Sequence, residues 1–343
     1  MRLVVVGAGA IGGLVGARLH AGGETVLLVA RGDHGRVVRE DGLRIEGPES
    51  TVVVRVPSVE DVRSVEFRSG DAVLLATKSQ HTAEVLAALR GVAPVDTPVV
   101  CVQNGVENER LALRQFTNVY GVCVMCPATH LRPGAIQAYR APVAGIFDVG
   151  RYPGGIDDVA LALAESLVAA GLAAQARPDI MRWKYAKLLL NLGNAIEAIA
   201  GPAARGGPVF ELAWREGVAC LVAAGIDFVS PEEDAARRAD IVPLPTPGQP
   251  RGGSSWQSMM RQTGNVEADY FNGEIVLLGR LHGVPTPVNA LLQRLANEHA
   301  RARIVPDPAG ADALEQLASA ALGVAEARSG GMASGQSLGA SDP

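Results

Sequence analysis

The chain lacks the surface that polyanions select. Its 36 acidic residues outnumber 31 basic ones, giving a net charge of −5 over 343 residues. Nucleic acids and anionic membranes need a cationic face, so neither is expected as a standing partner. Long hydrophobic runs are also missing. No apolar stretch reaches the roughly 18 residues that a spanning helix requires, so no membrane segment is expected. The N-terminus, MRLVVVGAGAIGG, is too short in its apolar part and too rich in glycine to read as a secretory signal. Cysteine is scarce, four residues in all, which excludes a disulfide framework and points to a reducing, cytoplasmic setting. The six histidines show no H-x-x-x-H spacing, and no G-x-S-x-G nucleophile elbow occurs. Cys123 and Cys126 form a lone C-x-x-C in an apolar strand, which reads as core sulfur and not as a zinc or redox pair.

What is present divides into two styles. Length suggests about two domains, and no internal repeat is visible. Short β-branched runs at 2–6, 25–30, 52–56, 71–77, 98–103 and 118–125 alternate with helical patterns such as 12–21 and 80–90. Near-continuous apolar strands separated by helices predict a parallel sheet covered on both faces. Residues 135–149 lack a helical period and read as extra antiparallel strands. A helix is expected at 157–170 and a short strand at 172–176. Beyond that point the pattern is helical, with expected helices at 179–200, 208–225, 231–240, 254–278, 286–299 and 311–327. The run PLPTPGQPRGG at 243–253 reads as a loop, because four prolines and three glycines preclude regular structure. The polar, glycine-rich end reads as disordered. The expectation is an α/β, Rossmann-type dinucleotide-binding domain over 1–175, an all-helical domain over 176–328, and a tail over 329–343.

The first strand runs into a glycine turn. In LVVVGAGAIGG, Gly7, Gly9 and Gly12 form G-x-G-x-x-G between a strand and a helix, with Ala8, Ala10 and Ile11 in the gaps. The first glycine makes the turn, the second admits a pyrophosphate to the backbone, and the third lets helix and strand pack closely. Free N–H groups at the helix start would then face the phosphates. The second strand ends in Arg31, where NAD sites usually carry a carboxylate. An arginine there suits the 2′-phosphate of NADP, so NADP is the expected cofactor; the other reading makes Arg31 a surface residue, with Asp33 reaching the ribose.

Further candidates follow later strands and the helical half. Lys78 closes DAVLLATKSQ and Asn104-Gly105 closes VVCVQNG, both where a doubly wound sheet presents its ligand site. Singly, Lys78 could be a solvated lysine and Asn104-Gly105 an ordinary turn. KYAKLLLNLGNAI sets Lys187 and Asn191 four residues apart, on one face if helical. SSWQSMMRQTGNVEADYFNGE carries Ser255, which could be only a helix N-cap, and Glu267, which could be only an exposed helix residue.

Taken together, GAGAIGG, Lys78 in ATKSQ, Asn104 in QNG, Lys187 and Asn191 in WKYAKLLLN, and Ser255 with Glu267 in SSW…VEADYFNGEIV resemble the ketopantoate reductases, or 2-dehydropantoate 2-reductases. The resemblance runs from residue 1 to about 300. It implies an NADPH-dependent enzyme that reduces a small 2-oxo acid, ketopantoate first, in pantothenate biosynthesis. On matching positions it implies that Lys187 is the general acid and that Glu267 organises the site and binds substrate or cofactor ribose. Asn104, Asn191 and Ser255 fall on substrate-holding positions, Lys78 on a cofactor or substrate contact, and Arg31 on the 2′-phosphate grip. Asn104 also counts toward the cofactor.

Chemically, a ketone oxygen that gains charge as hydride arrives needs a proton. A lysine desolvated by Leu188–Leu190 would have its pKa lowered toward roughly 7–8. The competing reading is a lysine that packs its stem on leucines and carries its amine to the surface. Two departures from the family pattern touch the substrate side. The second asparagine is expected at 195, where Ala195 stands with Asn194 beside it, and SSW with a proline-rich 243–253 loop replaces the usual SSM. A dehydrogenase of another 2-oxo acid or of an imine, opine-type, is therefore an alternative, as is a non-catalytic NADP-binding regulator. Apolar helical faces in the second domain leave room for a homodimer.

Overall fold

Alternating strands and helices, each strand apolar on both faces, build a parallel sheet in the first part of the chain. The computed structural model describes residues 1–239 and 252–333. The expected 243–253 loop lies outside these residues except for its last two glycines. The chain divides into two compact units, the first holding the sheet and the second the later helices.

In the first unit the strands are β1 (Arg2–Val6), β2 (Thr25–Val29), β3 (Leu43–Glu46), β4 (Thr51–Val54), β5 (Ser58–Val59), β6 (Asp71–Leu75), β7 (Val99–Cys101), β8 (Val119–Met125), β9 (Ala128–Arg132), β10 (Ala135–Ala138) and β11 (Ile146–Arg151). Seven of them form one sheet in the order β11-β8-β7-β6-β1-β2-β5. Its pairs are parallel except β11 with β8. The order reverses between β1 and β6, and in such sheets ligands bind beyond the carboxyl ends of strands at that switch point. Helix α1 (Ala10–Ala21) follows β1 and packs on β2. Helices α2 (Gly32–Asp41), α3 (Thr82–Arg90), α4 (Asn108–Leu113) and α5 (Asp158–Ala169) complete the alternation. The Asp157 carboxylate caps α5 by accepting the Ala160 N–H at 3.1 Å.

A second sheet of order β4-β3-β10-β9 covers α1. The contact is close enough to need glycine: a Cβ on Gly13 would lie 2.4 Å from Ile136 Cδ1. Residues 52–56, read above as a strand of the parallel sheet, contribute β4 to this smaller sheet instead. Val52 and Val53 are about half exposed there, as edge positions of a hairpin with β3. The extra strands expected at 135–149 are β10 and β11, and residues 172–176 touch β11 through two parallel bridges.

The first unit runs to Leu188 and takes back a segment that begins at Asp227, so it outlasts the expected 175 boundary. The cause is helix α6 (Ile180–Asn191), whose first two turns belong to the sheet. Ile180, Trp183 and Ala186 are buried against Cys123 and Val229. Lys184, also fully buried, places its Nζ 2.6 Å from Glu109 Oε1 and donates to Gln103 O at 2.8 Å and Val122 O at 3.3 Å. Helix α9 (Pro231–Arg238) opens with a Ser230/Glu233 capping box, and its Arg237 meets buried Asp148 on β11 through two bonds of 2.8 and 2.7 Å.

The second unit contains α7 (Gly193–Ala200), α8 (Pro208–Ala223), α10 (Ser254–Met260), α11 (Asn272–His282), α12 (Pro287–Arg301) and α13 (Ala311–Ala333). Its centre is Glu216 on α8. That carboxylate accepts the Val288 and Asn289 N–H groups at 2.8 and 2.9 Å, capping α12 from a neighbouring helix, and the Asn289 amide at 2.7 Å. Burial raises the Glu216 pKa, while these bonds oppose the rise. Three expectations change here. The helix expected over 179–200 is interrupted at Leu192, whose N–H bonds back to Leu189 O, three residues away. The helix expected over 254–278 becomes α10, a 3-10 turn at Ala268–Tyr270 and α11, because Gln262 and Gly264 take positive φ. Helix α13 extends to Ala333, into the tail expected from 329; the alanine-rich run ahead of it carries helix forward. Residues 334–343 of that tail lie outside the described residues.

The Lys184–Glu109 pair gives a direct test of the fold. Replacing Lys184 with Met strands a carboxylate in the core and should lower stability by about 3–5 kcal/mol. Lys184→Met combined with Glu109→Leu should recover much of that loss, as read by urea denaturation.

Candidate active site

The glycine turn has the clearances that its sequence suggests. Gly7 has φ +101°, and a Cβ there would stand 2.9 Å from Thr77. A Cβ on Gly12 would fall 2.1 Å from Gly7 O and 2.7 Å from Ala76 Cβ, so this glycine sets the approach of α1 to β6. A Cβ on Gly9 would meet nothing within 4 Å. Gly9 therefore faces open space, and the backbone there is accessible to a ligand. The N-terminus of α1 has no side-chain cap and no acidic residue in its first turn, which leaves N–H groups and partial positive charge for an anion. Ala8, Ala10 and Ile11 ride on this turn. His34 from α2 steadies it: Nδ1 accepts the Gly134 N–H at 2.9 Å, so Nε2 carries hydrogen and donates to Ala8 O at 2.7 Å. No motif in the sequence signals this histidine.

Arg31 follows β2 and is the N-cap residue of α2 without using its side chain. It is exposed and makes no ion pair among the described residues. Asp33, the other reading for the ribose, is 82% exposed and leans toward Arg36 at 3.9 Å. Glu60 also reaches this corner. It accepts the Gly32 N–H at 3.4 Å and lies 3.6 Å from Arg39. These residues fit a 2′-phosphate grip on the arginine and leave Glu60 as the carboxylate able to meet a ribose hydroxyl.

Lys78 and Asn104 follow β6 and β7, the next strands along the sheet from β1. A buried polar network ties their loops together. Gln103 Nε2 donates to Thr77 O at 2.8 Å and Thr82 Oγ1 at 2.9 Å, and Thr82 Oγ1 donates to Asn108 Oδ1 at 2.7 Å. Asn108 Nδ2 returns to Asn104 O at 3.0 Å and Ser79 Oγ at 3.2 Å. Lys184 joins through Gln103 O. Asn104 is thus fixed by its backbone while its side-chain Oδ1, buried, has no hydrogen-bond partner. Buried amide oxygens without a donor are uncommon and suit a site that a ligand completes. Gln103, Asn108 and Glu109 escaped the sequence reading. A buried lysine in an apolar run signals that a carboxylate partner exists somewhere, though not which one.

At β8, next in the sheet, Lys187 Nζ donates to Val124 O at 2.8 Å. The two lysines of KYAK therefore differ: Lys184 is enclosed by three acceptors, whereas Lys187 is half-buried at the carboxyl end of a strand. Neither carries its amine into bulk solvent in the way the competing reading has it. The Cys123 and Cys126 thiols nearby are pushed up by burial, with Lys187 opposing the rise.

In the second unit Asn191 is buried and its Nδ2 has no partner. Past the Leu192 interruption, Asn194 is also buried, with Oδ1 likewise without a partner. The i→i+3 bond at Leu192 tightens the turn toward 3-10 geometry, in which residues three apart eclipse. Asn194 thereby takes the face that position 195 would hold on an uninterrupted α-helix, and Ala195 is core. Glu197 accepts from Arg205 Nη1 at 2.6 Å and from the Gly253 N–H, which fixes the start of α10. A Cβ on Gly253 would lie 2.6 Å from Glu197 Oε2 and 3.0 Å from Asn194 Oδ1, so glycine is needed there. Gly253 is also the N-cap of α10, which corrects the cap reading of Ser255. Ser255 sits one residue inside the helix and is buried. Glu267 is buried just before the Ala268–Tyr270 turn, not exposed on a helix, and accepts from Ser254 Oγ at 2.9 Å.

Comparison with known proteins places this geometry. Residues 3–154 match the family "Ketopantoate reductase PanE/ApbA" and residues 179–300 match "Ketopantoate reductase PanE/ApbA C terminal". The chain is 32% identical to the 2-dehydropantoate 2-reductase of Halobacterium salinarum over 310 residues, 84% of this chain and 95% of the relative. It is 29% identical to the corresponding protein of Pyrococcus horikoshii over 307 residues, 86% and 96% of the two chains. The crystal structure of a ketopantoate reductase from Ralstonia eutropha superposes with a TM-score of 0.75 at 27% identity, covering 88% of this chain and 99% of that one. With a Rossmann-type sheet domain, a helical second unit and these matches across both, the chain belongs to the ketopantoate reductase family and is an oxidoreductase of the 2-dehydropantoate 2-reductase type.

Proposed function

We propose that the protein reduces ketopantoate to pantoate with NADPH, with Lys187 as the proton donor. The observation that carries this reading is the set of buried amide atoms without partners, Asn104 Oδ1, Asn191 Nδ2 and Asn194 Oδ1, on the segments that also bear Lys187 and the Lys78 loop. Polar atoms left open in an otherwise satisfied interior cost stability unless a polar ligand answers them. A hydroxylated 2-oxo acid supplies both donors and acceptors.

The glycine turn and the α1 N-terminus would hold the pyrophosphate, and Arg31 the 2′-phosphate. When bound, the dihydronicotinamide supplies hydride. The ketone carbon gains that hydride and its carbon–oxygen π bond breaks toward oxygen. Lys187 delivers a proton to the oxygen, which yields the 2-hydroxy acid, and the neutral amine regains its proton from water. Val124 O orients the ammonium through its 2.8 Å bond without neutralising it. Asn191 and Asn194 hold the substrate through their amides. Ser255 adds a hydroxyl, and Glu267, positioned by Ser254, receives a substrate hydroxyl or the cofactor ribose. A regulator that only bound NADP would have no use for the proton donor.

The defining assay follows absorbance of the reduced nicotinamide with ketopantoate, and turnover with NADPH should far exceed turnover with NADH. Turnover with other 2-oxo acids only would redirect the substrate assignment. Lys187→Ala should reduce kcat by about 100-fold or more, the scale of general-acid catalysis, with NADPH affinity kept. Unchanged kcat would remove Lys187 from the reaction. Arg31→Ala should weaken NADPH far more than NADH in fluorescence titrations; equal losses would mean that Arg31 does not meet the 2′-phosphate. The glycines separate fold from function. Gly9→Ala should leave the melting temperature unchanged yet weaken NADPH, whereas Gly12→Ala should destabilise the chain by about 1–3 kcal/mol through overpacking.

A further inference from the structure

Arg140 lies between β10 and β11, in the stretch that returns the chain toward the end of β8. It is half-buried, and its Nε is closed to solvent with no hydrogen-bond partner. Its guanidinium forms no ion pair among the described residues. Elsewhere in the same unit partly buried arginines meet carboxylates: Arg2 meets Asp71, Arg151 meets Asp157, and Arg177 and Arg237 meet Asp148. Burial disfavours the charged form of Arg140, and the one titratable group acting on it is the Cys126 thiol, itself held neutral by burial. A guanidinium in that position is under-compensated, and an anion arriving there would relieve it.

The position relative to the proton donor is the second observation. Cys126 stands two residues past Val124, whose carbonyl takes the Lys187 ammonium. Its Sγ donates to Ala144 O at 3.5 Å, which pins the Arg140 stretch to the end of β8. Lys187 and Arg140 both act on this thiol, so the two cations converge on one corner of the sheet. A 2-oxo acid carries its carboxylate on the carbon next to the ketone. Two neighbouring cations, one able to give a proton and one that stays charged at every working pH, match that pair of oxygens.

We propose that Arg140 receives the carboxylate of the 2-oxo acid and thereby selects acids over neutral carbonyl compounds. This rests on the reductase reading above. The guanidinium forms charge-assisted hydrogen bonds with the carboxylate while Lys187 faces the adjacent ketone oxygen. Arg140 is therefore a specificity-determining residue, and the chemistry of the hydride step does not pass through it.

The test compares wild type with Arg140→Gln and Arg140→Lys, using ketopantoate and its neutral lactone as substrates. For Arg140→Gln, KM for ketopantoate should rise by about 10- to 100-fold, the worth of a charge-assisted bond. The kcat should change far less, the lactone parameters should hardly move, and Arg140→Lys should recover part of the loss. Equal losses for acid and lactone, or no loss for either, would overturn the proposal. A weaker NADPH Kd with an unchanged ketopantoate KM would overturn it too, by assigning the arginine to a cofactor phosphate. Melting temperatures of both variants control for folding. Should wild type reduce no 2-oxo acid, the functional reading fails separately, and oxamate is then the probe. Thermal stabilisation by oxamate that is lost in Arg140→Gln would uphold the anion site, and its absence in wild type would overturn it.

Discussion

A single buried ammonium organises the catalytic side of the first unit. Lys184 must find acceptors for all three of its protons, because an unpaired charge in the interior costs several kcal/mol. It finds them on three separate elements: Glu109 on α4, Gln103 O beyond β7, and Val122 O within β8. Meeting that requirement fixes α6 against the sheet and holds the Gln103–Asn104 turn in place. Lys187 then falls at the end of β8 because it is one turn further along the same anchored helix. The pair adds little net stability over an apolar replacement of both partners, so its value is positional. Burial pushes the Glu109 carboxyl up, and the adjacent ammonium is what keeps the pair workable.

The cofactor side and the substrate side are built on different principles. Backbone does the work around the turn: Gly7, Gly9 and Gly12 matter for the atoms they lack, and the α1 N-terminus offers N–H groups that no side chain occupies. Side-chain amides dominate elsewhere, and each asparagine is held by packing while one of its polar atoms stays open. The first design tolerates much sequence change outside the glycines. The second depends on the phase of one helix and on where α10 begins, which Glu197, Arg205 and Gly253 jointly set.

Much of this was legible in the sequence, for local reasons. The glycine turn, the strands of the parallel sheet and the α5 cap at Asp157 are written in residues a few positions apart. The resemblance carried the assignments at Lys187, Asn191, Ser255 and Glu267. What escaped was non-local. Glu109 is 75 residues from Lys184, and no spacing rule links them. His34 reaches Ala8 across 26 residues and Gly134 across 100. The late division of the units followed from burial of the first turns of α6, which a nearly uniform apolar pattern conceals. Residues 52–56 have strand composition, yet composition does not say which of two sheets a strand joins.

The interruption at Leu192 bears on how chains of this kind are compared. A helix that tightens by one turn absorbs the loss of one residue and returns the next side chain to the same azimuth. Two chains can then present the same pair of amides with a spacing of three in one and four in the other. Column-by-column alignment would score Ala195 as a lost contact, and a conservation profile would mark the position as degenerate. Helical phase, not residue count, is the quantity preserved, so deletions next to such tightened turns are tolerated where deletions in regular helix would rotate everything downstream out of place.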